Sequence, residues 1–147
     1  MFNPSRDQVR QFFFEVWGKY RTGQTLTGAE VPALDAVLAH PEYHAILDQP
    51  DHYQARDYSP ESGETNPFLH LSMHLALAEQ LSVDQPPGIR MRYQQLRQQY
   101  GEEMTAQHAI MDCLGEMIWQ VQRHQTAFDS AAYLRCVDHH LAHPSNP

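Results

Sequence analysis

Apolar residues that recur every three or four positions are the feature of this sequence that most limits its fold. The first stripe predicts an amphipathic helix over residues 4–21. No segment of the sequence alternates apolar and polar residues as a half-buried strand would, so the pattern favours an all-α fold. The first stripe consists of Val9, Phe12, Phe13, Val16, Trp17 and Tyr20.

Capping residues and prolines divide the chain into about six helices. Asn3 or Ser5 can cap the first helix, and Asn66-Pro67 is typical of a helix start. Thr27 to Glu30 has capping-box form, but the proline at position 32 moves the expected start a few residues later. The remaining helices are predicted at 41–47, 66–83, 89–100, 102–123 and 130–141. Residues 48–65 are predicted to form a long loop. We therefore expect a single-domain helical bundle over residues 1–147, frayed after about residue 141.

The charge balance excludes some classes of partner. The chain has 10 Lys and Arg against 18 Asp and Glu, a net charge of −8 with histidine neutral. A surplus of carboxylates argues against binding nucleic acid or an anionic membrane surface. The longest apolar runs are too short to span a bilayer. The first residues lack the basic and apolar regions of a secretory signal, so a cytoplasmic location is expected.

The two cysteines show no metal or redox motif. Cys113 and Cys136 are 23 positions apart, and neither belongs to a CxxC pair. Cys113 lies in an apolar run, which predicts a buried structural thiol. Cys136 lies beside charged residues and is expected to be partly exposed.

Two predicted helices carry metal-ligand residue types where apolar residues are expected. His70 and His74 are four positions apart, on the face that Leu77 and Leu81 continue. The position of His70 near the positive end of its helix favours the neutral imidazole, which is the form that binds a metal.

The second of these helices carries His108, Asp112 and Glu116, again spaced by four. Their side chains span only about 80° of the helix surface. Residues 109–121 contain no Lys or Arg that could pair with either carboxylate. Because an unpaired buried carboxylate is costly, a bound metal is one way to stabilise it.

These five side chains predict a transition-metal centre between two central helices, as in other helical metalloproteins. Imidazole with carboxylate suits Zn, Fe, Mn or Ni, with Zn or Fe favoured. His44 in the His40-Pro41-Glu42-Tyr43-His44 segment is a candidate sixth ligand, since His40 is expected at a helix boundary. The Glu-x-x-His signature of dinuclear carboxylate sites is absent from the sequence. No substrate or reaction is indicated.

Other interpretations of the same residues stay open. Asp112 and Glu116 are equally consistent with facing solvent or with pairing to Arg90, Arg92 or Arg97, and the histidines with a structural hydrogen-bond network. A protein-interaction module, as a homodimer, is the alternative function. There the consecutive Phe12, Phe13 and Phe14, with Trp17, would supply an exposed partner surface. Haem or an organic cofactor held by Met and His residues is a third alternative.

The chain resembles a small bacterial family of domains of unknown function from Met1 to about Arg135. The resemblance is carried by the strings HPEYH (40–44), NPFLHLSMH (66–74) and CLGEMIWQ (113–120). The strings MFNPSR at the first six positions and DQPPGIR at 84–90 complete it. The resemblance implies membership of the family and no particular activity.

Overall fold

The computed structural model describes residues 5–58 and 65–143, and within them it is all-α. The described residues contain eight α-helices and one 3₁₀ helix, so the prediction of about six helices was too low. The predicted loop at 48–65 contains a short helix that begins at a proline. In chain order the α-helices are α1 (Arg6–Arg21), α2 (Glu30–Leu38), α3 (His44–Leu47), α4 (Pro50–Tyr53), α5 (Pro67–Val83), α6 (Ile89–Tyr100), α7 (Glu103–His124) and α8 (Ser130–Ala142), and the 3₁₀ helix is Pro41–Tyr43.

The chain divides into two compact units, Met1–Leu75 and Ala76–Pro147. The prediction of a single bundle did not anticipate this division, because helical periodicity shows where helices form but not which helices pack together. The first unit contains α1 to α4 and the beginning of α5. The second contains the end of α5 and α6 to α8. None of the helices in the described part of the chain is long and apolar enough to cross a membrane.

The predicted cap of α1 is confirmed, whereas the N-cap of α2 is Ala29, which makes no side-chain cap hydrogen bond. Ser5 caps α1: its Oγ accepts from the backbone N of Gln8 at 3.2 Å, and its own N donates to Gln8 Oε1 at 2.8 Å. The alternative cap, Asn3, lies outside the described residues. The backbone N of Thr27 donates to Glu30 Oε1 at 3.0 Å, and α2 begins at Glu30, three residues after the capping box starts.

The three consecutive phenylalanines are covered inside the first unit. Phe13 and Phe14 are buried, and Phe12 packs half-buried against the same core. The Phe14 ring meets Phe68 of α5 edge to face, with centroids 5.4 Å apart. The alternative in which these three rings form an exposed partner surface is therefore wrong, because they pack into the core of the first unit. A homodimer built through another surface stays a prediction.

A buried arginine holds the segment around α4 against α1. Arg10 is only 1% exposed, and its Nη1 donates to the carbonyl oxygens of Tyr53, Gln54 and Arg56 at 3.0, 3.1 and 2.7 Å. The guanidinium also lies 4.8 Å from the centroid of the Phe68 ring. Burial lowers the pKa of Arg10 from its ordinary value. The carbonyl hydrogen bonds offset that cost of burying the cation, so Arg10 acts as a C-terminal cap for α4.

Replacing Arg10 should destabilise the first unit far more than replacing its neighbour Arg6. Arg10→Met removes one donor from each of three carbonyls, and we expect a loss of about 2–4 kcal/mol in the free energy of unfolding. Urea unfolding followed by fluorescence of the buried Trp17, in a Trp119→Phe background, measures it, because the chain has only these two tryptophans.

Arg6→Met is the matched control on the same helix. The Arg6–Asp57 ion pair is short, at 2.6 Å, but the two side chains are 51% and 86% exposed. Exposed pairs of this kind contribute about 1 kcal/mol or less. Equal losses for the two variants would contradict the role assigned to Arg10.

The second unit packs α6, α7 and α8 around a core of its own. Ile89, Leu96, Ile110, Tyr133 and Val137 are fully buried there. The Tyr133 hydroxyl donates to Gln80 Oε1 at 2.7 Å, which satisfies it inside the core, and burial raises the pKa of Tyr133 above its ordinary range. Arg92 joins α6 to α8 through Asp138, with Nε–Oδ1 at 2.8 Å and Nη2–Oδ2 at 3.2 Å.

Cys113 and Cys136 form a disulfide between α7 and α8, with their Cα atoms 5.8 Å apart. The sequence prediction of a free buried thiol at Cys113 is therefore wrong, although the residue is fully buried as expected. The pairing depends on how α7 and α8 pack, and a separation of 23 positions along the chain carries no sign of it.

Candidate metal centre

Helix α5 places two histidines one turn apart. The Asn66 side chain caps the helix, since its Oδ1 accepts from the backbone N of Phe68 at 3.0 Å and of Leu69 at 3.2 Å. The helix then begins at Pro67, as predicted. This start sets the helical positions of His70 and His74, which follow four positions apart.

A third histidine reaches the same place from the end of α2. His40 precedes Pro41, and its backbone has φ −125° and ψ 70°. A residue before proline is disfavoured in the helical conformation, so α2 ends there and the chain turns. The His40 ring then lies beside the α5 histidines, with centroids 4.8 Å from His70 and 4.7 Å from His74.

We call His40, His70 and His74 the histidine trio, and their ring nitrogens converge. His70 Nε2 lies 3.1 Å from His40 Nε2 and 3.2 Å from His74 Nε2. His40 and His74 are 4% and 3% exposed, and His70 is half-buried. A tetrahedral Zn²⁺ with Zn–N bonds of about 2.05 Å separates its nitrogen ligands by about 3.3 Å. Two of the three nitrogen–nitrogen separations in the trio are close to this value, and all three ligand nitrogens lie within 4.8 Å of one another.

The backbone determines the tautomer of His40. Its Nδ1 lies 2.8 Å from the carbonyl oxygen of Ala36, which can only accept a hydrogen bond. Nδ1 must therefore carry the proton and donate. In the neutral ring this leaves a lone pair on Nε2, the atom that faces His70. A carbonyl that orients the far nitrogen in this way is the usual support of a metal-binding histidine.

Hydrogen bonding between the rings can satisfy only one of the two short contacts. A neutral imidazole nitrogen either carries a proton or offers a lone pair. If His70 Nε2 donates to His40, it has no lone pair for His74. If it accepts from His74, it faces the lone pair of His40. A cation among the three nitrogens satisfies all of them at once.

Tyr43 forms one wall of the site. Its ring stacks on His40, with centroids 5.3 Å apart and planes 5° apart. Burial, and then the nearby Glu42 carboxylate, raises the pKa of Tyr43, so the phenol stays protonated at neutral pH. The sequence suggested Tyr43 or Tyr58 as a proton donor in a catalytic site. Tyr43 is the one that packs against the trio, and Tyr58 packs instead against the core of the unit.

The structure turns His44 away from the trio. Its Nε2 lies 2.9 Å from the carbonyl oxygen of Val37, and its ring stacks on Trp17 with centroids 4.4 Å apart. Of the two histidines in the HPEYH segment, the sequence favoured His44 as a ligand, but His40 joins the α5 pair. The proline after His40 was the available signal, because it redirects the chain at that residue.

The two carboxylates of α7 were chosen as candidate ligands because they were expected to be buried without a partner. Asp112 and Glu116 are both exposed, and Glu116 Oε1 accepts from Gln120 Nε2 at 3.0 Å. The premise that they are buried without a partner is therefore wrong, because water solvates them. His108 is half-buried on α7, which belongs to the second unit. Its role as a ligand stays a prediction from the sequence.

Fold and site together define an all-α protein whose first unit contains a buried cluster of histidines. The chain belongs to DUF1841, a domain of unknown function, whose family model matches residues 5–139. This match confirms that the chain belongs to a family of domains of unknown function, as the resemblance implied. No curated protein and no solved structure matches the chain.

The tautomer of His40 can be tested directly. In metal-free protein at neutral pH we expect the proton on Nδ1, because the Ala36 carbonyl holds it there. Two-bond proton–nitrogen correlation spectra of ¹⁵N-histidine-labelled protein distinguish the two tautomers, and a His40→Ala variant assigns the signals. A protonated Nε2 on His40 would contradict the geometry of the site.

Proposed function

We propose that this chain is a metalloprotein in which the histidine trio binds one transition-metal ion through its ring nitrogens. The observation that carries the proposal is the position of His70 Nε2, 3.1 and 3.2 Å from two other imidazole nitrogens. A network of hydrogen bonds between neutral rings leaves one of those contacts unfavourable. A metal ion removes the conflict.

The donor set favours particular ions. Imidazole nitrogen suits Zn, Fe, Ni and Cu, whereas Mg and Mn prefer carboxylate oxygen. With Asp112 and Glu116 exposed to solvent, the trio contains no oxygen ligand, and Zn²⁺ or Fe²⁺ is the proposed ion. Three protein ligands leave a coordination position open for water or for a small molecule, as catalytic zinc sites do.

The proposal revises the ligand set predicted from the sequence. It keeps His70 and His74, exchanges His44 for His40, and omits the two α7 carboxylates. His108 is kept as a candidate further ligand on the sequence argument alone. The Ala36 carbonyl oxygen orients the His40 ring, and the His70 and His74 rings both belong to α5.

The proposal also keeps the cytoplasmic location predicted from the sequence. In that compartment glutathione and thioredoxin keep protein thiols reduced. The trio contains no cysteine, so its proposed metal binding does not depend on the state of the Cys113–Cys136 pair. Fractionation of cells that produce the untagged chain tests the location.

Metal content is the first test. We expect close to one equivalent of Zn or Fe in untagged protein purified without chelator and without oxygen, measured by plasma mass spectrometry. The His70→Ala/His74→Ala variant should contain less than a tenth of that amount, because two of the three ligands are gone. His52→Ala, which changes an exposed histidine of the same unit, is the matched control and should keep the metal.

Two further measurements complete this test. Metal added back to stripped wild-type protein should stabilise the first unit by about 2.7 kcal/mol at one hundred times the dissociation constant, a test that needs no substitution. His108→Ala decides whether that residue contributes. No metal in any sample, with no stabilisation on adding Zn²⁺ or Fe²⁺, would overturn the proposal and favour a structural histidine network.

A further inference from the structure

A second cluster of metal-ligand residues lies within the second unit. Cys113 on α7 is fully buried, and it meets Cys136 and His140, which are half-buried on α8. Cys136 and His140 are four positions apart, so their side chains lie on one face of α8. One ligand atom from each of the three lies within 4.8 Å of the others.

The chemistry of this cluster depends on the state of its sulfurs. As a disulfide, Cys113 and Cys136 offer no thiolate, and thiolate is the form that binds a metal. As a dithiol they would provide two sulfur ligands beside one imidazole, a set that zinc proteins use with the fourth position open. Ligand atoms of tetrahedral zinc lie about 3.3–3.8 Å apart. The two sulfurs are bonded in the disulfide and would move apart on reduction, and all three ligand atoms already lie within 4.8 Å of one another.

The helices that carry these residues are held together without the disulfide. Ile110 and Leu114 of α7 and Tyr133 and Val137 of α8 are buried, and the two helices pack against each other. The Arg92–Asp138 pair joins α6 to α8, and Gln99 Nε2 donates to the carbonyl oxygen of His140 at 3.3 Å. Opening the disulfide should therefore leave the unit folded and the three ligands close together.

We propose that Cys113, Cys136 and His140 form a Zn²⁺ site in the reduced protein. Two thiols of a cellular reductant open the disulfide by exchange, which yields two cysteine thiols and one reductant disulfide. Both electrons come from the reductant. Zn²⁺ then displaces the two cysteine protons and binds both thiolates and the His140 imidazole. A reducing compartment favours this form, and an oxidising compartment favours the disulfide.

Cobalt is the probe for this site, because thiolate ligands give Co²⁺ a near-ultraviolet charge-transfer band that imidazole alone does not. The full chain, carrying His70→Ala/His74→Ala to remove the first proposed site, is reduced with a phosphine and titrated with Co²⁺ without oxygen. The phosphine leaves as its oxide. We expect the band to saturate at one equivalent, to be displaced by Zn²⁺, and to be absent from the oxidised protein.

Three substitutions distinguish residues that bind the metal from a residue that only lies next to them. Cys136→Ser should abolish the saturable band, and His140→Ala should weaken binding at least tenfold. His139→Ala, at the exposed adjacent position, is the matched control and should bind as tightly as its parent. Repeating the titration with the trio intact shows whether this site is independent of the first proposal.

Some outcomes would overturn the proposal. One is a reduced protein that keeps its far-ultraviolet helical signal but gives no charge-transfer band. Another is loss of that helical signal on reduction, which would make the disulfide a structural requirement. Unchanged affinity in His140→Ala would remove the imidazole from the site. The comparison of oxidised with reduced protein needs no cysteine substitution, so it stands even if the Cys136→Ser variant does not fold.

Discussion

The two hydrogen bonds that Asn66 Oδ1 accepts from the first turn of α5 determine where that helix begins, and the histidine trio depends on that start. Asn66 Oδ1 accepts from two backbone N–H groups that have no partner within the helix. From this start Phe68 and Leu71 enter the core of the first unit, and His70 and His74 follow on the adjacent face. A shift of one residue in the register of this helix against the core would move both histidines by about 100° around its axis.

Which nitrogens of the histidine trio carry protons connects the geometry of the three rings to the proposed metal binding. Ala36 holds the proton of His40 on Nδ1, so the nitrogen that faces His70 offers a lone pair. His70 Nε2 has a single position for either a proton or a lone pair, yet it meets two nitrogen neighbours. One hydrogen at His70 Nε2 cannot be donated to one neighbour while the same nitrogen accepts from the other, whereas a metal ion can be bound by a lone pair from each of the three rings.

Much of the fold could be predicted from residues a few positions apart. The start of α5, the limits of α6 and the cap at Ser5 all depend on neighbouring residues. The candidate site could be predicted only in part. The His70 and His74 pair was visible as a spacing of four, but the choice of His44 over His40 depended on a backbone turn. Asp112 and Glu116 were selected because no cation stood near them in sequence, yet an exposed carboxylate needs only water.

The sequence by itself determined the helical class, most helix ends, and the i, i+4 pairs, because periodicity, capping and proline act within one or two turns. Tertiary structure alone decided that His40 completes the trio, that Arg10 caps a distant helix, and that Cys113 meets Cys136. It also decided that the chain divides into two units. These outcomes depend on contacts between residues from 23 to 46 positions apart, and no local pattern encodes which helix faces will pack together.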